Sequence, residues 1–259
     1  MPNDKKLKIA VWKFASCDGC QLSLLDCEDE LLTLTEKLDL AYFPEASSRM
    51  VAGPYDISLV EGSLSLSEDF AKIKDIRKNS QFVVAIGACA TYGGIQALRN
   101  SANIDDYKNV VYAHPEFINT LDKVTPISKV IKVDYELYGC PINKQQLLEL
   151  LNALLNRRRP QLLQTSVCYE CKLAGNTCIM ISENKACLGG VTRAGCGAIC
   201  PTYGRGCFAC YGPKDNALPE VLATQLEKNG KQKSEIFSLL LNFNPEAKEL
   251  TDASKKYEY

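Results

Sequence analysis

Short apolar runs alternate with helix-periodic stretches along the first 160 residues of the chain. The strand-like runs lie at residues 7–14, 38–43, 55–62, 82–87 and about 129–133. Helical spacing is found among the leucines between 22 and 38, in residues 67–79, and in residues 141–159, where Pro141 would occupy the first turn. This alternation predicts a parallel sheet with helices on both of its faces.

The pattern changes near residue 160. Between Cys168 and Cys210 the chain holds eight cysteines, seven glycines and few large apolar residues, without strand or helix periodicity. Such a segment cannot offset its ordering entropy by burial, so inorganic crosslinks have to substitute. We therefore predict an α/β domain at residues 1–160 and an irregular, metal-stabilised domain with a helical tail at residues 161–259.

The helical tail contains two apolar-patterned segments, residues 220–230 and 234–243, followed by charged residues. We expect both segments to pack back onto the body of the protein. The alternative is that residues 234–243 form a partner-binding helix.

Composition narrows the functional classes. The 259 residues include 30 Lys and Arg against 31 Asp and Glu, a balance that argues against nucleic acid or an anionic membrane surface as a partner. The N-terminal residues lack a secretory or twin-arginine signal, and no run approaches the roughly 18 apolar residues of a membrane span. We expect a cytoplasmic protein, in which structural disulfides are disfavoured.

Twelve of the 13 cysteines form three sets of four. The first set follows three different predicted strands: Cys17, Cys20, Cys89 and Cys140. Because ligand sites of parallel sheets lie beyond the carboxyl ends of the strands, these thiolates can converge and bind one four-iron cluster. Two alternatives remain open: a thioredoxin-like dithiol at Cys17 and Cys20, and a merely buried thiol at Cys89.

The other eight cysteines divide most simply in chain order. The second set is Cys168, Cys171, Cys178 and Cys187, and the third set is Cys196, Cys200, Cys207 and Cys210. Zinc is the competing metal because two CxxC pairs are present, but four further cysteines separate these pairs. Ferredoxin-type motifs can exchange a ligand between clusters, so the assignments of Cys187 and Cys196 stay open.

Four other features have a functional and a structural interpretation. Glu61, at the end of a predicted strand near the first set, could influence proton transfer or could cap a helix or loop. Cys27 is expected to pack on the first helix, and the single histidine, His114, to lie in a loop rather than bind metal. The three arginines at 157–159 would end a helix, where cations complement the dipole.

The chain has neither a P-loop nor a G-x-G-x-x-G turn, so we expect any nucleotide to bind to another polypeptide. The segments FASCDGCQLSLL, LVEGSL, IGACATYGGI, YGCPIN and CLGGVTRAGCGAICPTYGRGCFAC resemble the small subunit of [NiFe] hydrogenases. The resemblance covers about residues 8–212. It is greatest to the cytosolic branch, which includes the delta subunit of archaeal sulfhydrogenase and the gamma subunits of methanogen hydrogenases.

This resemblance implies a flavodoxin-like domain that carries the proximal [4Fe-4S] cluster on the first set. An iron–sulfur domain would carry the distal cluster on the second set and the medial cluster on the third set. Periplasmic relatives have a histidine at the position of Cys168 and only three medial cysteines, whereas the third set has four. Both departures imply three [4Fe-4S] clusters here.

The implied function is electron transfer within a cytosolic [NiFe] hydrogenase. The NiFe centre would lie on the large subunit, and FAD and NADP(H) would bind to flavin and iron–sulfur partner subunits that serve NADP(H) or polysulfide. The alternatives are a zinc-stabilised, non-enzymatic α/β scaffold and a quinone-reductase-like subunit with a single cluster.

Overall fold

A computed structural model describes residues 6–258 of the chain. Its sheet contains five parallel strands: β1 (Leu7–Lys13), β2 (Leu38–Tyr42), β3 (Tyr55–Glu61), β4 (Ser80–Ile86) and β5 (Tyr135–Leu137). They are ordered β2-β1-β3-β4-β5, which is the flavodoxin-like order. The strand order reverses between β1 and β3, so the loops after these strands open at the same edge.

Helices cover both faces of this sheet, as the alternating pattern predicts. The helices of this part are α1 (Gly19–Leu25), α2 (Glu28–Thr35), α3 (Asp69–Lys78), α4 (Gly87–Tyr92), α5 (Ile104–Val111) and α6 (Lys144–Leu155). On one face, Leu24 of α1 and Leu150 of α6 belong to the same buried core as Leu59 of β3. On the other face, Ile73 of α3 is buried together with Val83 of β4. The predicted fold class is confirmed.

Three predicted element bounds are wrong. The leucines between 22 and 34 belong to two helices, because the first helix ends at Leu25 and Glu28, where the second begins, has a φ of 39°. Leu38 belongs to neither helix and begins strand β2. Leu24 of α1 is buried, and Leu31 and Leu34 of α2 are partly buried against the same core, so two short helices satisfy the same leucine spacing as one long helix. Cys27 lies between the two helices rather than on the first one, and it has no exposed surface, whereas Asp26 and Glu28 beside it are exposed.

The predicted strand at residues 129–133 is absent, and the last strand begins at Tyr135. Residues Ile127–Lys129 form a 3₁₀ turn, and Ile127 and Ile131 are buried among the residues of the α3 side of the sheet. The Asp134 carboxylate accepts a hydrogen bond from the Val83 backbone N–H at 2.8 Å. Burial explains the apolar residues between 129 and 133, but these residues do not pair with a strand of the sheet.

The helix predicted at residues 141–159 is shorter than expected. It begins at Lys144, where the Asn143 side chain accepts the Gln146 backbone N–H at 3.1 Å and thereby caps the helix. Pro141 therefore precedes the helix instead of occupying its first turn. The helix ends at Leu155, so the arginines at 157–159 follow it rather than end it.

The cysteine-rich part contains short helices, α7 (Val167–Leu173), α8 (Ile179–Ser182) and α9 (Ile199–Thr202). It is followed by α10 (Pro219–Lys228), α11 (Lys233–Leu241) and α12 (Lys248–Ser254). Ile236 and Leu240 of α11 are buried with Leu226 of α10 and Leu250 of α12. The segment at 234–243 thus packs within the chain, as expected, and the charged tail that follows it adds a further helix that the sequence pattern did not indicate.

Candidate metal centres

The first set lies in the loops that leave the carboxyl ends of three strands. Cys17 and Cys20 follow β1, with Cys20 in the first turn of α1; Cys89 lies on α4, directly after β4, and Cys140 lies between β5 and α6. Cys17 is exposed and Cys20 is buried, while the other two are partly buried. The strand order therefore brings together four cysteines that are separated by up to 123 positions in the sequence.

Burial and the neighbouring acidic groups raise the pKa values of thiols in the first set. Burial, followed by the charges of Glu61, Cys89 and Cys140, raises the pKa of the Cys20 thiol. Burial raises the pKa of Cys89 to about 11, and Cys140 and Cys17 contribute to the same shift. Iron binding has to displace these thiol protons, because the thiolate is the ligand.

Two glycines make room for the sulfur atoms of the first set. A Cβ atom at Gly87 would lie 2.3 Å from the Sγ of Cys20, and one at Gly94 would lie 2.6 Å from the Sγ of Cys89. Both glycines have positive φ, 84° and 66°, which residues with a side chain rarely adopt. The donor set and the space around it therefore fit a thiolate-ligated cluster.

Glu61 ends β3 beside this set and is only 2% exposed. Its Oε1 accepts the Cys20 backbone N–H at 3.0 Å, and its Oε2 accepts the Gln21 side-chain amide at 2.8 Å. Burial raises the pKa of the carboxyl group, while these two hydrogen bonds lower it. These contacts correspond to the capping interpretation of Glu61; the proton-coupled role stays a prediction.

The second set surrounds the short helices α7 and α8. Cys168 and Cys171 lie on α7, Cys178 precedes α8, and Cys187 lies in the loop that follows it. Burial raises the pKa of Cys168, and the next causes are the other three cysteines of this set. A Cβ atom at Gly189 would lie 3.5 Å from the Sγ atoms of both Cys168 and Cys187.

The third set lines one cavity. All four of its members, Cys196, Cys200, Cys207 and Cys210, border a cavity of about 350 Å³, together with Cys140 of the first set. Burial raises the pKa of Cys210 to about 12, followed by the charges of Cys196, Cys140 and Cys200. Cys196 therefore lines the same cavity as Cys200, Cys207 and Cys210.

The second and third sets adjoin at Cys207. The backbone N–H of Cys207 donates to the Sγ of Cys187 at 3.2 Å. The Cys207 thiol itself lies 3.5 Å from the Thr192 hydroxyl oxygen and accepts the Ala209 backbone N–H at 3.5 Å. The division of ligands between these sets stays a prediction, since the backbone of Cys207 contacts the sulfur of Cys187.

Within residues 6–258, no three His, Cys, Asp or Glu side chains meet closely enough to hold a single metal ion. A zinc site would require four thiolates around one ion. The zinc and the iron–sulfur interpretations of these cysteines both stay predictions at this point.

Three residues for which the sequence favoured a structural interpretation, Cys27, His114 and Arg158, each have a partner within the chain. The buried Cys27 thiol donates to the Ser23 carbonyl at 3.5 Å, and the exposed His114 pairs with Glu116 at 3.1 Å. Arg158 binds the Glu149 carboxylate through both terminal nitrogens, at 2.6 and 2.7 Å.

Tyr211 was not predicted as a site residue, but it lies against the first and third sets. Its position directly after Cys210 is a signal that could have drawn attention to it.

Comparisons with known proteins point to hydrogenase subunits. The model of the family described as NADH ubiquinone oxidoreductase, 20 kDa subunit, matches residues 17–154. Sulfhydrogenase 2 subunit delta of Pyrococcus furiosus is 34% identical over 214 residues, which cover 82% of this chain and 90% of that protein. None of the helices between residues 6 and 258 is long and apolar enough to cross a membrane.

Two solved structures show the same fold. A chain of an NAD⁺-reducing [NiFe]-hydrogenase in the H2-reduced state matches with a TM-score of 0.56 and 30% identity, over 61% of this chain and 95% of that chain. A chain of the [NiFeSe] hydrogenase of Desulfovibrio vulgaris Hildenborough matches with a TM-score of 0.55 and 16% identity, over 82% of this chain and 95% of that chain. The second match extends over more of this chain and shows likeness of fold alone.

Proposed function

The chain belongs to the family of [NiFe] hydrogenase small subunits, and from this premise we propose that it relays electrons through three [4Fe-4S] clusters. Electron transfer and pairing with a hydrogenase large subunit follow from the family. The clusters would lie on the first set (proximal), the third set (medial) and the second set (distal). They would connect the NiFe centre of the large subunit with a partner that serves NADP(H) or polysulfide.

The observation that carries this proposal is the spatial order of the three cysteine sets. Cys140 of the first set lines the cavity of the third set. Cys207 of the third set donates its N–H to Cys187 of the second set. The sets therefore follow one another in the order first, third, second, although the chain reads first, second, third. A continuous row of this kind supports a relay with the third set in the middle.

The solvent exposure of the cysteines is consistent with the same order of the three sets. Each terminal set has one exposed cysteine, Cys17 in the first set and Cys168 in the second set. The third set has none, and its Cys207 is only 5% exposed. Both ends thus present an exposed thiol toward partner subunits, whereas the remaining members of the third set, Cys196, Cys200 and Cys210, are partly buried.

A [4Fe-4S] cluster supplies one-electron redox chemistry at a potential that depends on hydrogen bonds to its sulfurs and on solvent exposure. The chain provides such hydrogen bonds from the N–H groups of Cys207 and Ala209. Its glycines at 87 and 94 leave the space that the Cys20 and Cys89 sulfurs occupy. The hydrogen bond from the Cys20 backbone N–H to the Glu61 carboxylate holds the loop of Cys20 against β3.

The remaining partners are assigned by similarity. We propose flavin-binding and iron–sulfur subunits in a cytoplasmic complex, because similar chains are named as subunits of a sulfhydrogenase and of an NAD-reducing hydrogenase. The flavin and the NADP(H) would bind to those subunits, since this chain has no nucleotide-binding glycine motif.

An assay of metal and acid-labile sulfide in the anaerobically purified protein tests the cluster count. Three four-iron clusters require about 12 iron and about 12 sulfide per chain. About 4 iron would favour the single-cluster alternative, which the family match to residues 17–154 also accommodates. Stoichiometric zinc would favour the scaffold alternative.

Two cysteine variants make the assay specific to the ligands. Cys89→Ser should lower the iron content, because Cys89 belongs to the first set. Cys27→Ala is the matched control, since Cys27 is a buried thiol of the same region that packs in the core. Loss of iron from the Cys27 variant, or full iron in the Cys89 variant, would contradict the assignment.

A further inference from the structure

The side chain of Tyr211 lies between the first and third cysteine sets. Tyr211 follows Cys210 directly and is only 5% exposed. A Cβ atom at Gly139 would lie 2.9 Å from its Cζ atom, and one at Gly195 would lie 2.9 Å from its Cε1 atom. These glycines immediately precede Cys140 of the first set and Cys196 of the third set. The ring therefore fits only because both flanking positions lack a side chain.

Tyr211 borders the spaces beside both sets. It lines the cavity of about 350 Å³ that holds the third set, and it lines an adjacent groove of about 360 Å³ together with Cys140. The ring thus borders both the cavity of the third set and the groove beside Cys140.

We propose that Tyr211 is a positioning residue for electron transfer between the first and third sets. The proposal rests on the proposed function, because it assumes a cluster on each set. The ring, wedged between the two glycine-flanked loops, fixes the separation of the sets and fills the gap between them with protein atoms. One electron crosses this gap at a time; no bond forms or breaks, and no proton is transferred at Tyr211.

The physical reason is the steep dependence of electron transfer on distance and on the medium. A truncated side chain would leave a cavity between the loops, because close-packed surroundings relax only partly around a deleted group. The loops of Cys140 and Cys196 would then lose their shared contact. Either water in the gap or a change in separation would weaken the electronic coupling of the two centres.

The test compares three variants of Tyr211 in the purified hydrogenase complex. Tyr211→Phe keeps the ring, Tyr211→Leu keeps part of its volume, and Tyr211→Ala removes it. Tyr203→Ala is the matched control, because Tyr203 lies in the same cysteine-rich segment but is 78% exposed. The readouts are iron content, the magnetic splitting between clusters in the electron paramagnetic resonance spectrum of the fully reduced complex, and H2-dependent reduction of a dye.

We expect Tyr211→Ala to retain its iron but to lose much of the magnetic splitting and of the dye reduction. Tyr211→Phe and the Tyr203 control should match the wild type in all three readouts. Should Tyr211→Ala lose iron, Tyr211→Leu decides: full iron with weakened splitting supports the proposal. Wild-type splitting in an iron-replete Tyr211→Ala or Tyr211→Leu variant overturns it, as does loss of iron from both. Wild-type protein without iron would instead overturn the proposed function itself.

Discussion

A single buried carboxylate, Glu61, connects the loop of the first set to strand β3. Its two oxygens accept the Cys20 N–H and the Gln21 amide, at 3.0 and 2.8 Å. The Cys20 N–H belongs to the first turn of α1, where backbone donors have no partner within the helix. Glu61 therefore stabilises the start of α1 through these hydrogen bonds, independently of any role in proton transfer.

We expect Glu61→Ala to lower the free energy of unfolding by about 1–3 kcal/mol, because two buried donors would lose their acceptor. Chemical denaturation of the anaerobically purified protein measures this change. Glu36→Ala is the control, since Glu36 is exposed and its replacement should change stability by less than about 0.5 kcal/mol. Equal stability of the two variants would contradict the capping role.

The role of Glu61 in proton transfer can be measured separately. The conservative variant Glu61→Gln keeps the size of the side chain but removes its charge. Unchanged H2 turnover in this variant would remove the proton-coupled hypothesis and leave the structural contribution.

At the scale of elements, the C-terminal helices form a core of their own. Ile236 of α11 is 1% exposed and belongs to the same buried cluster as Leu226 and Tyr257. The cluster also includes Leu188, which follows Cys187 of the second set. These helices therefore supply apolar side chains against which the cysteine-rich loops pack. The loops need this contribution because they contain few large apolar residues of their own.

We expect Ile236→Ala to destabilise the protein by about 2–5 kcal/mol, because it leaves a cavity in a well-packed core. Thermal or chemical denaturation measures the loss. The control is Val221→Ala on α10, where the valine is 64% exposed and contributes little. A small effect at Ile236 would restore the alternative that residues 234–243 bind a partner.

At the scale of the whole molecule, two kinds of stabilisation are combined. The sheet has apolar cores on both faces. Between residues 167 and 210, the buried cluster consists mainly of Val167, Ile179 and Ala198 together with cysteines. The first part can be stabilised by burial of apolar surface, whereas we expect the second to depend on bonds to metal.

Removal of iron should therefore unfold the cysteine-rich segment before the sheet. We expect hydrogen exchange, measured by mass spectrometry after anaerobic chelation, to accelerate in residues 167–210. Peptides from β3 and β4 are the internal control, and their protection should persist. Uniform loss of protection over the chain, or none, would contradict this division of stability.

The sequence was sufficient to predict the elements that depend on local pattern. Strands β1 to β4 and helix α3 were found from apolar periodicity, and the grouping of cysteines indicated metal. The predictions were wrong where one pattern fits two structures. Within the predicted strand at 129–133, Ile131 is buried in irregular chain rather than in a strand. The leucines on either side of Cys27 contact the same core from two separate helices.

Only the tertiary structure decided how distant residues meet. The strand order brings Cys89 and Cys140 to the loop of Cys17, and the folding of the cysteine-rich segment places the third set between the first and the second. The contacts of Tyr211 with Gly139 and Gly195 also depend on this arrangement. Local sequence determines the conformation of each segment, but the contacts between segments depend on packing over the whole chain, and chain order alone does not report them.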